Sequence, residues 1–198
     1  MLMRALLYCL FVLQLNANEV FITKRGETIT LEQCQSYEVS ADDQNQVKDI
    51  FVESFSKCYR LSNAHFNLSD FDLQQYLASD FEKIIRPSLY KQPSKVFLGA
   101  KKGDRLVGYA LFENISNDTV YVAELSIASD FWRQGLGQKM TLYYPENNPL
   151  IKRIVLLTEK INLQAQKFYE SIGFEHSDYT HEGYSPDLFC AYEKRIRP

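Results

Sequence analysis

The run Ile154-Val155-Leu156-Leu157 narrows the folds open to this chain more than any other feature. Four apolar residues without polar alternation read as the middle of a strand, Ile151 to Thr158, covered on both faces. Helical patterns stand on either side of it. Gly135 to Tyr144 reads as a helix broken by Pro145-Glu146-Asn147-Asn148-Pro149. Leu163 to Ile172 places Ala165, Phe168 and Ile172 on one side, and Gly173 stands where a left-handed C-cap would stop it. A covered strand between two helices implies a sheet with helices on both faces.

The rest of the chain fits that layering. Gln35 to Val39 reads as a short first strand, and Phe21 to Glu32, around Arg25-Gly26-Glu27, as a small hairpin or an irregular arm. Ser40-Ala41-Asp42-Asp43 signals the start of a helix with Val47, Ile50, Phe51 and Phe55 on its apolar face. Asp70 to Ile85 is a second helix, which Pro87 is expected to end. Lys95–Ala100 and Arg105–Phe112 form a hairpin through Lys101-Lys102-Gly103-Asp104, and Thr119–Ala128 is a third strand. Phe174–Tyr179 and Leu188–Glu193 close the sheet as a last hairpin. The expected class is α/β (α+β), with a mixed sheet of about six or seven strands.

Length and composition exclude several functions. The 198 residues suit one domain with a short extension, and 45% apolar residues suffice for a core. A net charge of -3, with no long Lys/Arg run, gives no nucleic-acid or membrane footprint. Cys34, Cys58 and Cys190 lack C-x-x-C spacing, and His65, His176 and His181 are scattered, so neither a metal site nor a disulfide framework is expected.

The start of the chain is unlike the rest. Arg4 precedes an uncharged, mostly apolar run from Ala5 to Leu15, and Asn16-Ala17-Asn18-Glu19 is polar. This is the order of a secretory signal cleaved after Ala17, and it is too short for a membrane span of roughly 20 residues. The alternative is an apolar strand or helix packed on the domain. The expected division is a signal at residues 1–17, an arm at 18–35 and one domain at 36–198.

Chemistry is concentrated after the third strand, in Arg133-Gln134-Gly135-Leu136-Gly137-Gln138. Glycines let backbone approach a ligand, and the first N–H groups of a helix lack internal partners. With the positive end of the helix dipole they make a phosphate site that needs no lysine. A plain strand-to-helix connection would also use such a turn.

Downstream lies Asn162-Leu163-Gln164-Ala165-Gln166-Lys167-Phe168-Tyr169-Glu170-Ser171-Ile172-Gly173-Phe174. This resembles the GNAT acetyltransferase signature N-x-x-A-x-x-F-Y-E-x-x-G-F, at the expected distance after an R/Q-x-x-G-x-G/A loop. The resemblance covers about residues 36–194. It implies two parallel strands, Thr119–Ala128 and Ile151–Thr158, that splay apart around the pantetheine arm of acetyl-CoA. It further implies backbone contact at Ile127, diphosphate contacts from Arg133, Gln134, Gly135, Leu136, Gly137 and Gln138, and Asn162 touching the pantetheine or stabilising the loop. Tyr169 would protonate the leaving thiolate, a role suited to a phenol with pKa about 10; the structural alternative is a core aromatic. Glu124 would take the proton of the amine, or serve as a surface or loop-anchoring carboxylate, with Glu113 and Asp178 as lesser alternatives. One departure stands out: Trp132 occupies the position of the family's Arg or Gln.

The expected activity is transfer of an acetyl group from acetyl-CoA to a primary amine of a small molecule, peptide or protein, without a metal. The alternatives are a catalytically inactive acyl-CoA-binding member of the fold and an exported interaction protein. Phe66–Leu77 and Thr180–Asp187, both aromatic and mildly acidic, would wall the acceptor side. The sequence sets neither the acceptor nor the oligomeric state. A secretory start sits awkwardly with acetyl-CoA, which is scarce outside the cytoplasm, so exported and cytoplasmic placements both stay open.

Overall fold

Ile29 and Leu31 alternate with polar neighbours and are fully buried, which seats β2 (Thr28–Gln35) between β1 (Glu19–Ile22) and β3 (Lys95–Lys102). Of the two readings of Phe21–Glu32, the hairpin is the one that forms, and its second strand runs on to Gln35. Ser36–Glu38, inside the segment expected as a strand, is a 3-10 turn closed by the Gln35 N–H donating to the Glu38 carboxylate at 2.9 Å. The computed structural model describes residues 18–61, 69–91 and 94–197. The signal-like segment 1–17, His65 and Phe66 lie outside the described residues.

From β3 the chain runs through β4 (Arg105–Asn114), β5 (Thr119–Ile127), β6 (Arg153–Glu159), β7 (Glu175–Ser177) and β8 (Phe189–Arg195). Among the described residues these form one eight-stranded sheet, ordered β1-β2-β3-β4-β5-β6-β8-β7. The count exceeds the expected six or seven because the N-terminal arm contributes a full hairpin. All pairings are antiparallel except β5 with β6.

Helix α1 (Ala41–Leu61) packs on β4 and β5, burying Val47, Ile50 and Phe51 as their spacing predicts. Helix α2 (Asp70–Asp80) packs on α1, its N-terminus capped by the Ser69 hydroxyl, which accepts from the Asp72 N–H. Pro87 does not end this helical stretch. A π-turn at Phe81–Ile85 intervenes, with the Arg86 N–H donating to the Phe81 carbonyl, and α3 (Arg86–Lys91) then carries Pro87 at its second position. Pro87 has no N–H to give to the turn before it, and the wider register of the π-turn accommodates its ring there.

Pro145 likewise fails to break α4 (Leu136–Asn147). It sits in the last turn, where one missing bond costs least, and Arg197 holds the exposed carbonyls. The guanidinium donates to the Asn148 and Ile151 oxygens at 2.7 and 2.6 Å, and to the Pro145 and Glu146 oxygens at 3.2 and 2.6 Å. Helix α5 (Leu163–Ser171) follows β6, and Gly173, at φ 84°, lies just beyond its end.

The site arises where β5 leaves β6. Their parallel pairing runs only from Thr119↔Arg153 to Val122↔Leu156, although both strands continue. On the other edge of β5, Leu111 pairs with Glu124 but Phe112 with Val122, leaving Ala123 as an extra residue. Such a bulge bends and twists its strand. It stands at the point where the gap opens.

Candidate active site

The gap exposes backbone. Ala128 N–H donates to the Val107 oxygen at 2.9 Å, so this residue pair is hydrogen-bonded across β4 and β5. Antiparallel ladders alternate, which turns the N–H and C=O of Ile127, one residue back, towards the gap. The Trp132 indole N–H occupies that carbonyl at 2.7 Å. Trp132 thus commits its only side-chain donor to the strand, while the residue itself lines the cleft.

The loop beyond is shaped for close approach. Arg133 (φ 59°) and Gly135 (φ 87°) hold left-handed conformations, which direct the chain into α4. A side chain on Gly137 would meet the Phe168 ring at 3.2 Å, so glycine there lets α4 and α5 close on each other. A cleft of about 570 Å³ runs from this loop into the gap. Of the residues expected to bind cofactor, Ile127, Arg133, Gly135, Gly137, Gln138 and Asn162 line it. Gln134 and Leu136 do not; both residues are buried. Asn162 also caps α5, its Oδ1 accepting from the Ala165 N–H at 3.1 Å.

Tyr169 lies on α5, 8% exposed, and lines the cleft. Its ring packs against Phe168, Phe174 and Tyr192. Burial first, then the charge of Glu124 and of Cys58, raises its phenol well above the ordinary range, so it carries its proton at neutral pH. It is therefore a core aromatic and a proton holder at once.

Glu124 follows the bulge on β5 and lies within the electrostatic reach of Tyr169. Part of the residue is exposed, but the surroundings of its carboxyl push the pKa up to about 8. Burial is the main cause and Glu159 and Asp80 add to it, while bonds from Ser126 (3.3 Å) and the Leu125 N–H act the other way. Glu159, at the end of β6, is also raised by burial, and it accepts from the Tyr59 hydroxyl at 2.5 Å. Three carboxylates from β5, β6 and α2 therefore lie within electrostatic reach of one another. Sequence reading singled out only Glu124, because Asp80, Glu159 and Tyr59 belong to no shared motif.

The lesser base candidates lie elsewhere. Glu113 is engaged by Lys95 at 3.5 Å. Asp178 lines a second cavity of about 350 Å³ with His176, Tyr179, His181, Tyr184 and Cys190. That cavity borders the Thr180–Asp187 segment, where Tyr121 stacks on His181 with centroids 4.5 Å apart. Among the described residues no group of side chains is arranged to hold a metal ion, and no helix is long and apolar enough to cross a membrane. Cys34, Cys58 and Cys190 are free thiols.

The cleft suits a long ligand with an anionic end. Backbone in the gap can meet an amide-bearing chain, and Lys24, Arg133 and Lys167 stand at the loop without an acidic partner among the described residues. Lys24 was not expected, since it comes from the N-terminal arm.

Comparison with known proteins agrees with this reading of the fold. Residues 49–174 match the model of the acetyltransferase (GNAT) family. No curated protein matches the chain by sequence. Similar solved structures include a PaiA N-acetyltransferase from Thermoplasma acidophilum in complex with coenzyme A. It is 18% identical, with 83% of this chain and 98% of that one covered and a TM-score of 0.61. An acetyltransferase from Streptococcus agalactiae is 18% identical, covering 84% and 98%, with a TM-score of 0.58. The ribosomal-protein-S18-alanine N-acetyltransferase from Escherichia coli is 14% identical, covering 85% and 95%, with a TM-score of 0.53.

Proposed function

The chain belongs to the GNAT acetyltransferase family, and on that footing we propose that it moves an acetyl group from acetyl-CoA to a primary amine of a small molecule, peptide or protein. The observation that carries this reading is Tyr169 lining the cleft with its phenol held protonated, while Glu124, its carboxyl pushed up to about 8, acts on it electrostatically from β5. Its similarity in fold to a PaiA N-acetyltransferase in complex with coenzyme A supports the choice of cofactor.

The residues divide the work. The backbone of Ile127 and of Arg133 to Gln138 would hold acetyl-CoA, which supplies the acetyl group as an activated thioester. Glu159 and Asp80, beside Glu124, favour an acceptor that arrives as an ammonium ion. Ionised Glu124 then takes a proton from the amine nitrogen, directly or through water, and leaves it nucleophilic. As the C–N bond forms and the C–S bond breaks, Tyr169 Oη would give its proton to the leaving sulfur and take back the second proton of the acylated nitrogen. Enclosure in the cleft holds the reacting groups in line, which supplies much of the rate in a transfer of this type.

Separately from the activity, the segment at residues 1–17 is proposed to be a cleavable signal. N-terminal sequencing of the mature protein is expected to begin at Asn18, and a sequence beginning at Met1 would remove it. The activity itself is tested by calorimetry with acetyl-CoA and by release of free thiol with a panel of amines. Binding without turnover on any amine would leave a non-catalytic acyl-CoA-binding protein.

A further inference from the structure

The N-terminal hairpin is fastened to the loop at three points. The Glu19 carboxylate on β1 pairs with Lys139 of α4 at 2.5 Å. The Phe21 ring stands 3.5 Å from where a side chain on Gly135 would begin. The Lys24 N–H donates to the Gln134 oxygen at 3.2 Å. Hairpin, loop and helix are thereby held as one piece.

The turn that presents Lys24 is itself closed. Thr23 is 3% exposed; its N–H donates to the Glu27 oxygen at 2.9 Å, and its hydroxyl accepts from the Glu27 N–H at 3.1 Å. Gly26, at φ 81°, completes the reversal. Lys24 lies on this turn and lines the same cleft as Arg133, Gly135 and Gln138.

Nothing acidic nearby is left for it. Glu27 of the same turn pairs with Lys102 at 2.6 Å, and Glu19 is held by Lys139. Among the described residues Lys24 has no carboxylate partner, whereas Lys48, Lys57, Lys95, Lys102 and Lys139 each have one and Lys101 has two. In the same cleft Arg133 and Lys167 are likewise without a carboxylate partner among the described residues, and the loop itself departs from the family's pattern. The position that should carry Arg or Gln holds Trp132, whose N–H is committed to Ile127.

We propose that Lys24 binds the diphosphate of acetyl-CoA and supplies, from outside the loop, the charge that position 132 lacks. The proposal rests on the acetyl-CoA reading above. The closed turn fixes the backbone that carries Lys24, so only its side chain has to order when the anion binds. Lys24 is a positioning residue for the cofactor and takes no part in the proton transfers.

Calorimetry on the full chain tests this with the wild type, Lys24→Gln and Lys24→Arg, using acetyl-CoA and its 3′-dephospho form at low and high salt. Lys24 is exposed and keeps its backbone bond in both variants, so their melting should match the wild type. Lys24→Gln is expected to bind acetyl-CoA about fivefold more weakly at low salt, with the gap narrowing as salt screens the charge. Lys24→Arg should bind as the wild type does, and the penalty of Lys24→Gln should persist with the 3′-dephospho form. Unchanged affinity for Lys24→Gln overturns the proposal. So does a loss shared by Lys24→Arg, a loss independent of salt, or a loss that vanishes without the 3′-phosphate. A wild type that binds no acetyl-CoA removes the acetyl-transfer reading as well, whereas a binding wild type with an indifferent Lys24→Gln removes only the role of Lys24.

Discussion

The indole N–H of Trp132 donates to the carbonyl oxygen of Ile127 at 2.7 Å, closing the turn by which β5 enters the loop. A residue that departs from the family's loop pattern thus acts as an internal brace. Trp132→Phe keeps a ring and removes the donor. The loss of one part-buried hydrogen bond is about 1 kcal/mol, which lowers the melting temperature by about 2–4 °C in a chain of this size. Thermal unfolding measures it, and an unchanged midpoint would mean that the bond does not support the loop.

Glu124 links activity and stability in opposite directions with pH. Its folded pKa of about 8 lies above the ordinary 4.5, so the folded state binds the proton more tightly than the unfolded chain. Its contribution to stability is full below about 4.5 and is lost as pH rises to about 8, while the base form needed for transfer appears over the upper part of that range. Glu124→Gln should therefore melt higher than the wild type at pH 8, with the difference shrinking towards pH 4.5. It should also lose most of its kcat and the rise of kcat with pH. An equal melting temperature at pH 8 would contradict the buried placement of this carboxyl.

Gly135 holds φ at 87° at the entry to α4. Gly135→Ala would meet the Phe21 ring only at 3.5 Å, an ordinary contact, so the strain lies in the backbone. A left-handed alanine costs about 1–2 kcal/mol, and relief of that strain would turn the loop's N–H groups away from the cleft. Calorimetry should show weaker acetyl-CoA binding together with a lower melting temperature. Wild-type affinity would show that the loop's conformation does not set the cofactor site.

Arg197 gathers four carbonyl oxygens around the C-terminal end of α4. Arg197→Ala leaves them to water and is expected to cost about 1–3 kcal/mol, seen as a lower melting temperature. Amide exchange should quicken in the last turn of α4 while the rate of acetyl transfer stays near the wild-type value. Unaltered exchange at Asn147 and Asn148 would remove the capping role.

Much of this architecture is legible in the sequence because it rests on periodicity and on glycine. The unalternating Ile154–Leu157, the helical spacing of Val47, Ile50 and Phe51, and the Asn162–Phe174 motif each report local structure directly. What stays hidden depends on distant partners. Pro145 and Pro87 read as helix breakers, yet Arg197 from the end of the chain and a π-turn accommodate them. Lys24 reads as an ordinary surface lysine until the hairpin is seen fastened to Gln134. The carboxylates of Glu124, Glu159 and Asp80 come from three elements, so no spacing along the chain announces that they share a field. The bulge at Ala123, which stands where the gap begins, leaves no mark in the pattern of β5.

The proton assigned to Tyr169 gives the most direct test of the account. Wild type and Tyr169→Phe would be compared for thiol release from acetyl-CoA over a panel of primary amines, with acetyl-CoA affinity measured alongside by calorimetry. The account predicts turnover by the wild type, a kcat about 10²-fold lower for Tyr169→Phe, and nearly equal affinities. Equal kcat values, or a wild type that binds acetyl-CoA and acetylates no amine, would contradict it.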